Sequence, residues 1–297
     1  MLAALSTPHR IRAARDGLWV GAIITVLIKL AQLTVEFRPD AHAYWSVWQH
    51  GAVYSAAPEQ WDAFLYSPAF AQAMWPLTFI PWPLFFVLWI GVIAAIYVWL
   101  LAPLPVGWRV PLFLLCLSDL TSGNIWAFYA LVAVAGLRFP AAWAFPLLTK
   151  VTPGVGVVWF AVRREWRPLA VAIATTGAIA SVSFALAPHL WSDWIRLLLH
   201  PDAFHNPHRE DLHPLLHLPA SIRLAAAIPL SFSVTVYAAR RNRPYLLPVA
   251  MVLAAPVANL AALGVLLAIP RIARPEGARY EPQARLMRTT IAAAELR

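Results

Sequence analysis

Cysteine is almost absent from this 297-residue chain: Cys116 stands alone. That excludes a disulfide within the chain and any cysteine-based zinc site. Charge is scarce as well. Charged residues make up 12% of the sequence, where a soluble domain carries about a quarter. Lysine is confined to Lys29 and Lys150, so the basic residues are nearly all arginine. No Asp-x-Asp motif or other carboxylate cluster occurs, so the sequence offers no acidic cradle for a divalent metal. What is abundant is apolar surface. Residues of the AVILMFWYC set make 61% of the chain, mean hydropathy is +0.64, and there are 15 Trp and 26 Pro. A soluble fold of this length has no interior large enough to hide that much, so lipid must solvate it.

The formal net charge of +9 does not point to nucleic acid, because the arginines fall in short clusters between apolar runs, as the positive-inside rule arranges them. Counting about 20 apolar residues per crossing gives spans at Gly17–Val35, Phe64–Ile80, Pro83–Leu101, Leu169–Pro188, Pro219–Ala239 and Tyr245–Ile269. Between them Val110–Ser118 is too short to cross, Ile125–Leu137 is marginal, and Pro140–Val162 is broken at Lys150–Pro153. The expectation is an all-α, polytopic transmembrane bundle of about 8–10 spans, some of them half-length. With no repeat and no low-complexity linker, one domain covers 1–270 and a basic tail covers 271–297.

The N-terminal run of Arg10, Arg12 and Arg15, the Arg163–Arg167 cluster and the Arg240–Arg243 cluster are expected on the cytoplasmic side. Two loops, 36–62 and 189–218, then face the other side. The tail disagrees with simple alternation: its six arginines and three glutamates want the cytoplasm, while the span order leaves them outside.

Breaks in apolar runs survive at membrane depth only where protein covers them or a polar cavity receives them. The breaks at Asp119–Asn124 and Lys150–Pro153 therefore predict a polar cavity inside the bundle, against the plainer account of proline kinks packed on neighbours. Lys150 sits in mid-run, and an ionisable group there is a site candidate by default; the alternative is a lysine closing a half-helix and snorkelling to water. Lys29, near a span end, reads as snorkelling. Asp40, just beyond the first span, lies where lipid head groups are presented and can serve as a base. It can equally cap an interfacial helix anchored by Tyr44, Trp45 and Trp48.

Six of the nine histidines crowd the second outer loop: His189, His200, His205, His208, His213 and His217. Their spacing matches no strong zinc signature, so no metal and no cofactor are expected. A histidine such as His205, or Arg209, can meet phosphate or sugar from that loop. Most tryptophans are expected in interfacial belts, with Trp45 and Trp61 as candidates to stack on a sugar.

One series of residues has a familiar order. Asp40, Tyr44, Gly51 and Tyr54 precede Phe64-Leu65-Tyr66-Ser67-Pro68-Ala69-Phe70 and Pro76-Leu77. Gly123-Asn124 follows, then Lys150-Val151-Thr152-Pro153, Trp159 and the Arg163–Arg167 cluster. From about Asp40 to Arg167 the chain resembles glycosyltransferase family 87, the polyprenol-phosphate-mannose-dependent mannosyltransferases of GT-C membrane fold. Ser67 stands where the family has the first of two prolines, and the glutamine of its Gly-Gln-x-Asn segment is missing. The chain is also short for the family.

The resemblance implies an inverting hexosyl transfer, of mannose in the first instance, from a polyprenyl-phosphate sugar donor to a glycolipid or glycan acceptor. Asp40 would be the general base and Tyr44, Tyr66, Asn124 and Lys150 would bind substrate, joined by His205 and Arg209 from the outer loop, which the resemblance does not reach. A lipid monophosphate leaving group needs fixed cations and no metal. The lipid bilayer is then the other partner, with no role for nucleic acid. Two other readings stay open: an inactive relative scaffolding envelope glycan enzymes, and a lipid-linked sugar transporter with Lys150 at a midplane site. The Ala-, Arg-, Pro- and Trp-rich composition suggests a GC-rich genome. With the family's occurrence it points to a bacterial plasma membrane, the N-terminus cytoplasmic and Asp40 extracytoplasmic.

Overall fold

The structure, a computed structural model, describes residues 8–32, 40–49, 51–56, 60, 62–199, 220–255 and 260–273. Among them there is no strand; every element is an α-helix or a 3-10 turn.

Helix α1 (Pro8–Gln32) is long and buries only Ala22, leaving Val20, Ile23, Ile24, Leu27, Ile28 and Leu30 about half exposed. Helix α2 (Asp40–Ser46) is short and mostly buried. The expected span over Phe64–Ile80 is instead α3 (Pro68–Met74) running into a 3-10 segment at Trp75–Phe79. The reason is proline: Pro68 opens the helix where a missing N–H costs nothing, and Pro76 then removes a donor where an α-helix would need it.

Helices α4 (Trp82–Leu101) and α10 (Trp166–Leu186) are long and apolar enough to cross a bilayer, with mean hydropathies of 2.6 and 2.0. Exposed Leu84, Val87, Leu88 and Val92 on α4, and Val171, Ile173, Val182 and Phe184 on α10, present apolar surface that lipid would cover.

Between these two the chain proceeds in short pieces: α5 (Val106–Leu115), α6 (Leu117–Ser122), α7 (Trp126–Ala135), a 3-10 turn at Pro140–Trp143, α8 (Ala144–Thr149), a second at Thr152–Val157, and α9 (Val158–Val162). Of the break expected at Asp119–Asn124, Asp119–Ser122 belong to α6 and only Gly123 and Asn124 fall in the link to α7, while the break expected at Lys150–Pro153 falls between α8 and α9. After α10, part of the expected outer loop forms a helix, α11 (Pro188–Leu198), which packs on α3 and α10. The second half continues with α12 (Ala220–Arg240), α13 (Leu247–Leu253), a 3-10 segment at Leu260–Ala268 and α14 (Ile269–Ile272). The expected span Tyr245–Ile269 is thus in pieces as well.

The core is aromatic. Trp126, Trp143, Trp159, Tyr97, Tyr129 and Phe160 are fully buried, which moves three tryptophans out of the expected belts. Close backbone approach makes room for them: a Cβ on Gly156 would collide with the Trp143 ring, and one on Gly264 with the Tyr97 hydroxyl. Tyr97 Oη also donates to Asp119 Oδ2 at 2.6 Å, a buried bond tying α4 to α6.

Candidate active site

Asp40 is the first residue of α2, where a carboxylate is favoured by the exposed amides of a helix start. That helix is clamped by tryptophans in it and in the turn after it: Trp45 Nε1 donates to Ile80 O and Trp48 Nε1 to Ala71 O, each at 2.7 Å. Trp45 is therefore a structural anchor, packed on His42 and Trp82. His42 in turn meets Asp62 across 2.8 Å.

Asn124 arrives from the link between α6 and α7. Gly123 ends α6 in the left-handed region, at φ +64, with its N–H on Asp119 O. A Cβ there would stand 2.6 Å from that of Ala41, so only glycine lets the link press against α2 beside Asp40. Trp89 of α4 fixes the turn by donating to Gly123 O at 2.7 Å.

Lys150 closes α8. Thr149 Oγ1 meets the Tyr129 hydroxyl at 2.7 Å and donates to Phe145 O at 2.6 Å, fastening α8 to α7. Trp126 and Tyr129, three residues apart on α7, share the face that receives Lys150. The ammonium lies 3.9 Å from the Trp126 ring centroid and 5.6 Å from that of Tyr66. Immediately after it, Val151 has φ +51 and ψ −60, and Thr152 N donates to Lys150 O at 2.6 Å. That is a γ-turn of the strained hand, on a β-branched residue.

These three segments meet at one amide. Asn124 Nδ2 donates to Asp40 Oδ2 at 2.7 Å; Asn124 Oδ1 accepts from Lys150 Nζ at 3.2 Å and from Ile125 N at 2.7 Å. The opposite amide orientation would turn the NH2 toward an ammonium and a backbone N–H, so the network fixes which way it points. A carboxylate and an ammonium are thereby held on either side of a buried side chain, while both remain partly accessible. Such a pair can take a proton at one end and receive negative charge at the other.

Tyr44 and Tyr66 line the same region, their hydroxyls 2.8 Å apart and both rings buried. Tyr54 donates to Tyr66 O at 2.8 Å. Burial, with Asp193 of α11 adding to it, pushes the Tyr54 phenol up from its ordinary range and keeps it a neutral donor. Ser67, fully buried, donates its hydroxyl to Leu148 O and so ties the start of α3 to α8.

The geometry thus gathers Asp40, Tyr44, Tyr66, Asn124 and Lys150. His205, Arg209 and Trp61 lie outside the described residues. Lys29 is half-buried near the end of α1 and donates to Gln32 Oε1 at 3.0 Å, well suited to a snorkelling residue. His189 is exposed on α11, and among the described residues no three His, Cys, Asp or Glu side chains converge. Trp126 was not singled out beforehand. Its place two residues after Asn124, in an otherwise apolar helix start, is the signal that was available.

The family model for glycosyltransferase family 87 matches residues 64–294. The chain belongs to glycosyltransferase family 87. Sugar transfer from a donor to an acceptor is therefore its chemistry, and the family together with the apolar faces of α4 and α10 makes it a membrane-associated glycosyltransferase. The matched stretch of this family 87 chain carries Tyr66, Asn124 and Lys150, and begins after Asp40 and Tyr44. No curated protein and no solved structure matches the chain.

Proposed function

We propose that this glycosyltransferase transfers a hexose, mannose in the first instance, from a polyprenyl-phosphate sugar to a glycolipid or glycan acceptor with inversion at the anomeric carbon. The carrying observation is the hydrogen-bonded chain Asp40–Asn124–Lys150. An acceptor hydroxyl gives its proton to the Asp40 carboxylate as its oxygen attacks the anomeric carbon. The bond from that carbon to the phosphate oxygen breaks, and its electron pair leaves with the lipid phosphate. Lys150 meets the charge that accumulates on the phosphate. Held against Trp126 and by Asn124, the ammonium is already in place when that charge develops, so little reorganisation opposes the step.

Tyr44 and Tyr66 shape the sugar-facing wall. His205 and Arg209 are assigned to substrate by their place in the outer loop, outside the stretch that carries the resemblance. In the same reading the helices form a polytopic GT-C-type bundle in a bacterial plasma membrane, with the Asp40 side extracytoplasmic. On that reading a single lipid-phosphate leaving group calls for a fixed cation rather than a metal.

The test is transfer of labelled mannose from polyprenyl-phosphate mannose in membranes that contain wild type or Asp40→Asn at equal protein level. The expected result is transfer by the wild type and a loss of about a thousandfold or more in the variant, within the range that general-base removal produces. Turnover that survives Asp40→Asn would remove this mechanism and leave the family assignment untouched.

A further inference from the structure

Far along the chain from the site, two arginine-rich links come together. Arg163 Nη1, at the end of α9, donates to Ala239 O near the end of α12 at 3.2 Å. The segments 163–167 and 240–243 therefore share one end of the helix assembly, and Glu165 is the one carboxylate in either. That carboxylate is already engaged by Arg163 Nε at 2.7 Å. Arg243 leans on Tyr237, its Nη1 3.3 Å from the hydroxyl. Arg240 and Arg241 are exposed, and neither guanidinium group has a hydrogen-bond or ion-pair partner among the described residues.

A groove of about 450 Å³ runs down α12 from these two guanidinium groups, lined by Phe232, Ser233, Val236, Tyr237, Arg240 and Arg241. Its shape follows from helix periodicity. Residues four apart stack into rows, so Phe232–Val236–Arg240 forms one wall and Ser233–Tyr237–Arg241 the other. Both rows are apolar or small below and end in arginine above. Phe232 and Tyr237 stay 49% and 46% exposed, and Ser233 spends its hydroxyl on Pro229 O, so the lower groove offers an acyl chain an unobstructed surface.

We propose that this groove binds an anionic phospholipid of the surrounding bilayer, with the phosphate between Arg240 and Arg241 and an acyl chain along Phe232 and Val236. Charge complementarity carries the choice. A guanidinium pair matches phosphate oxygens in a way a zwitterionic head group partly cancels, and an anionic leaflet adds attraction for every basic group near it. The proposal is independent of the reaction, since none of these residues belongs to the Asp40–Asn124–Lys150 chain.

The test titrates the purified full-length protein in detergent with dioleoylphosphatidylglycerol, or with dioleoylphosphatidylcholine, and counts bound lipid by native mass spectrometry. Wild type retains phosphatidylglycerol in preference to phosphatidylcholine. Arg240→Gln/Arg241→Gln lowers that affinity about thirtyfold, the size two arginine contacts have at an anionic surface. Arg10→Gln/Arg12→Gln, with the same change in net charge, leaves it within about twofold, because neither residue lines the groove and exposed charges outside it are screened. Equal retention of the two lipids, full binding by the Arg240/Arg241 variant, an equal loss in the Arg10/Arg12 variant, or preferential occupation by polyprenyl phosphate would each overturn the assignment.

Discussion

If Asn124 organises the reacting groups, then Asn124→Ala should damage turnover more than it damages the fold. The side chain makes two bonds to charged partners, 2.7 Å to Asp40 and 3.2 Å from Lys150, besides the one from Ile125 N. A bond to a charged group contributes about 1.5–3 kcal/mol, so about 3–6 kcal/mol of local order rests on this amide. Solvent admitted to the gap replaces part of it, and about half is expected to reappear in the barrier. That is a fall of about ten- to two-hundredfold in kcat. Asp40 and Lys150 remain in the variant, so the donor KM should change far less than kcat. The assay is steady-state transfer of labelled sugar, normalised to protein that still unfolds cooperatively on heating. Asn124→Gln, which keeps both amide functions on a longer arm, should recover part of the loss. A variant Asn124→Ala with kcat within about threefold of wild type would refute the argument, because amide bonds worth more than 1 kcal/mol to the barrier must show at that level.

Lys150→Met keeps the apolar stem and removes the charge; it should lower kcat by about tenfold or more, since the ammonium meets charge that develops on the phosphate, weaken inhibition by free lipid phosphate, and be partly rescued by Lys150→Arg. Unchanged inhibition by lipid phosphate would remove Lys150 from the phosphate. Gly123→Ala places a Cβ 2.6 Å from that of Ala41 at a φ of +64; strain and overpacking together should cost about 2–4 kcal/mol, read as a lower unfolding temperature in detergent, and an unfolding temperature unchanged from wild type would sink this account of the turn. Val151→Gly relieves a strained turn, worth about 1–3 kcal/mol against about 1 kcal/mol of added chain entropy, so the unfolding temperature should rise while kcat falls as Lys150 loosens. A variant that gains stability with full activity would show that the turn is not part of the mechanism.

How much of this was legible beforehand depends on what kind of residue carries it. Asp40, Asn124 and Lys150 lie in three separate segments, and each was nameable from the sequence on different grounds: Asp40 and Lys150 as charged groups beyond a span and within an apolar run, each with a plain alternative as a helix cap or a snorkelling lysine, and Asn124 through the family resemblance. The supports around them were not. Trp126, Tyr129 and Thr149 sit in runs whose aromatic and small residues suit any membrane helix, and belt tryptophans and core tryptophans look alike without the fold. Ser67 illustrates the limit from another side. The sequence shows a missing proline, but only the packed structure shows the hydroxyl reaching Leu148 O from α3 to α8.

The fold was misjudged where proline and apolar run-length conflict. Phe64–Ile80 has the composition of a crossing, but a run of apolar residues states only what solvent the segment prefers, and the helix within it depends on an uninterrupted ladder of N–H donors. Pro68 and Pro76 leave seven residues of α-helix and a 3-10 turn. The same conflict builds the site. Gly123 ends α6, and the Lys150–Val151 turn ends α8, each well before a full crossing. Both breaks release backbone from its helix and bring a polar side chain to the gap: Asn124 from one, Lys150 from the other. A continuous pair of helices in their place would satisfy the lipid better and would hold neither the amide nor the ammonium within 3.2 Å of each other. The interruptions that make the spans hard to count are thus what lets an apolar chain assemble a charged site.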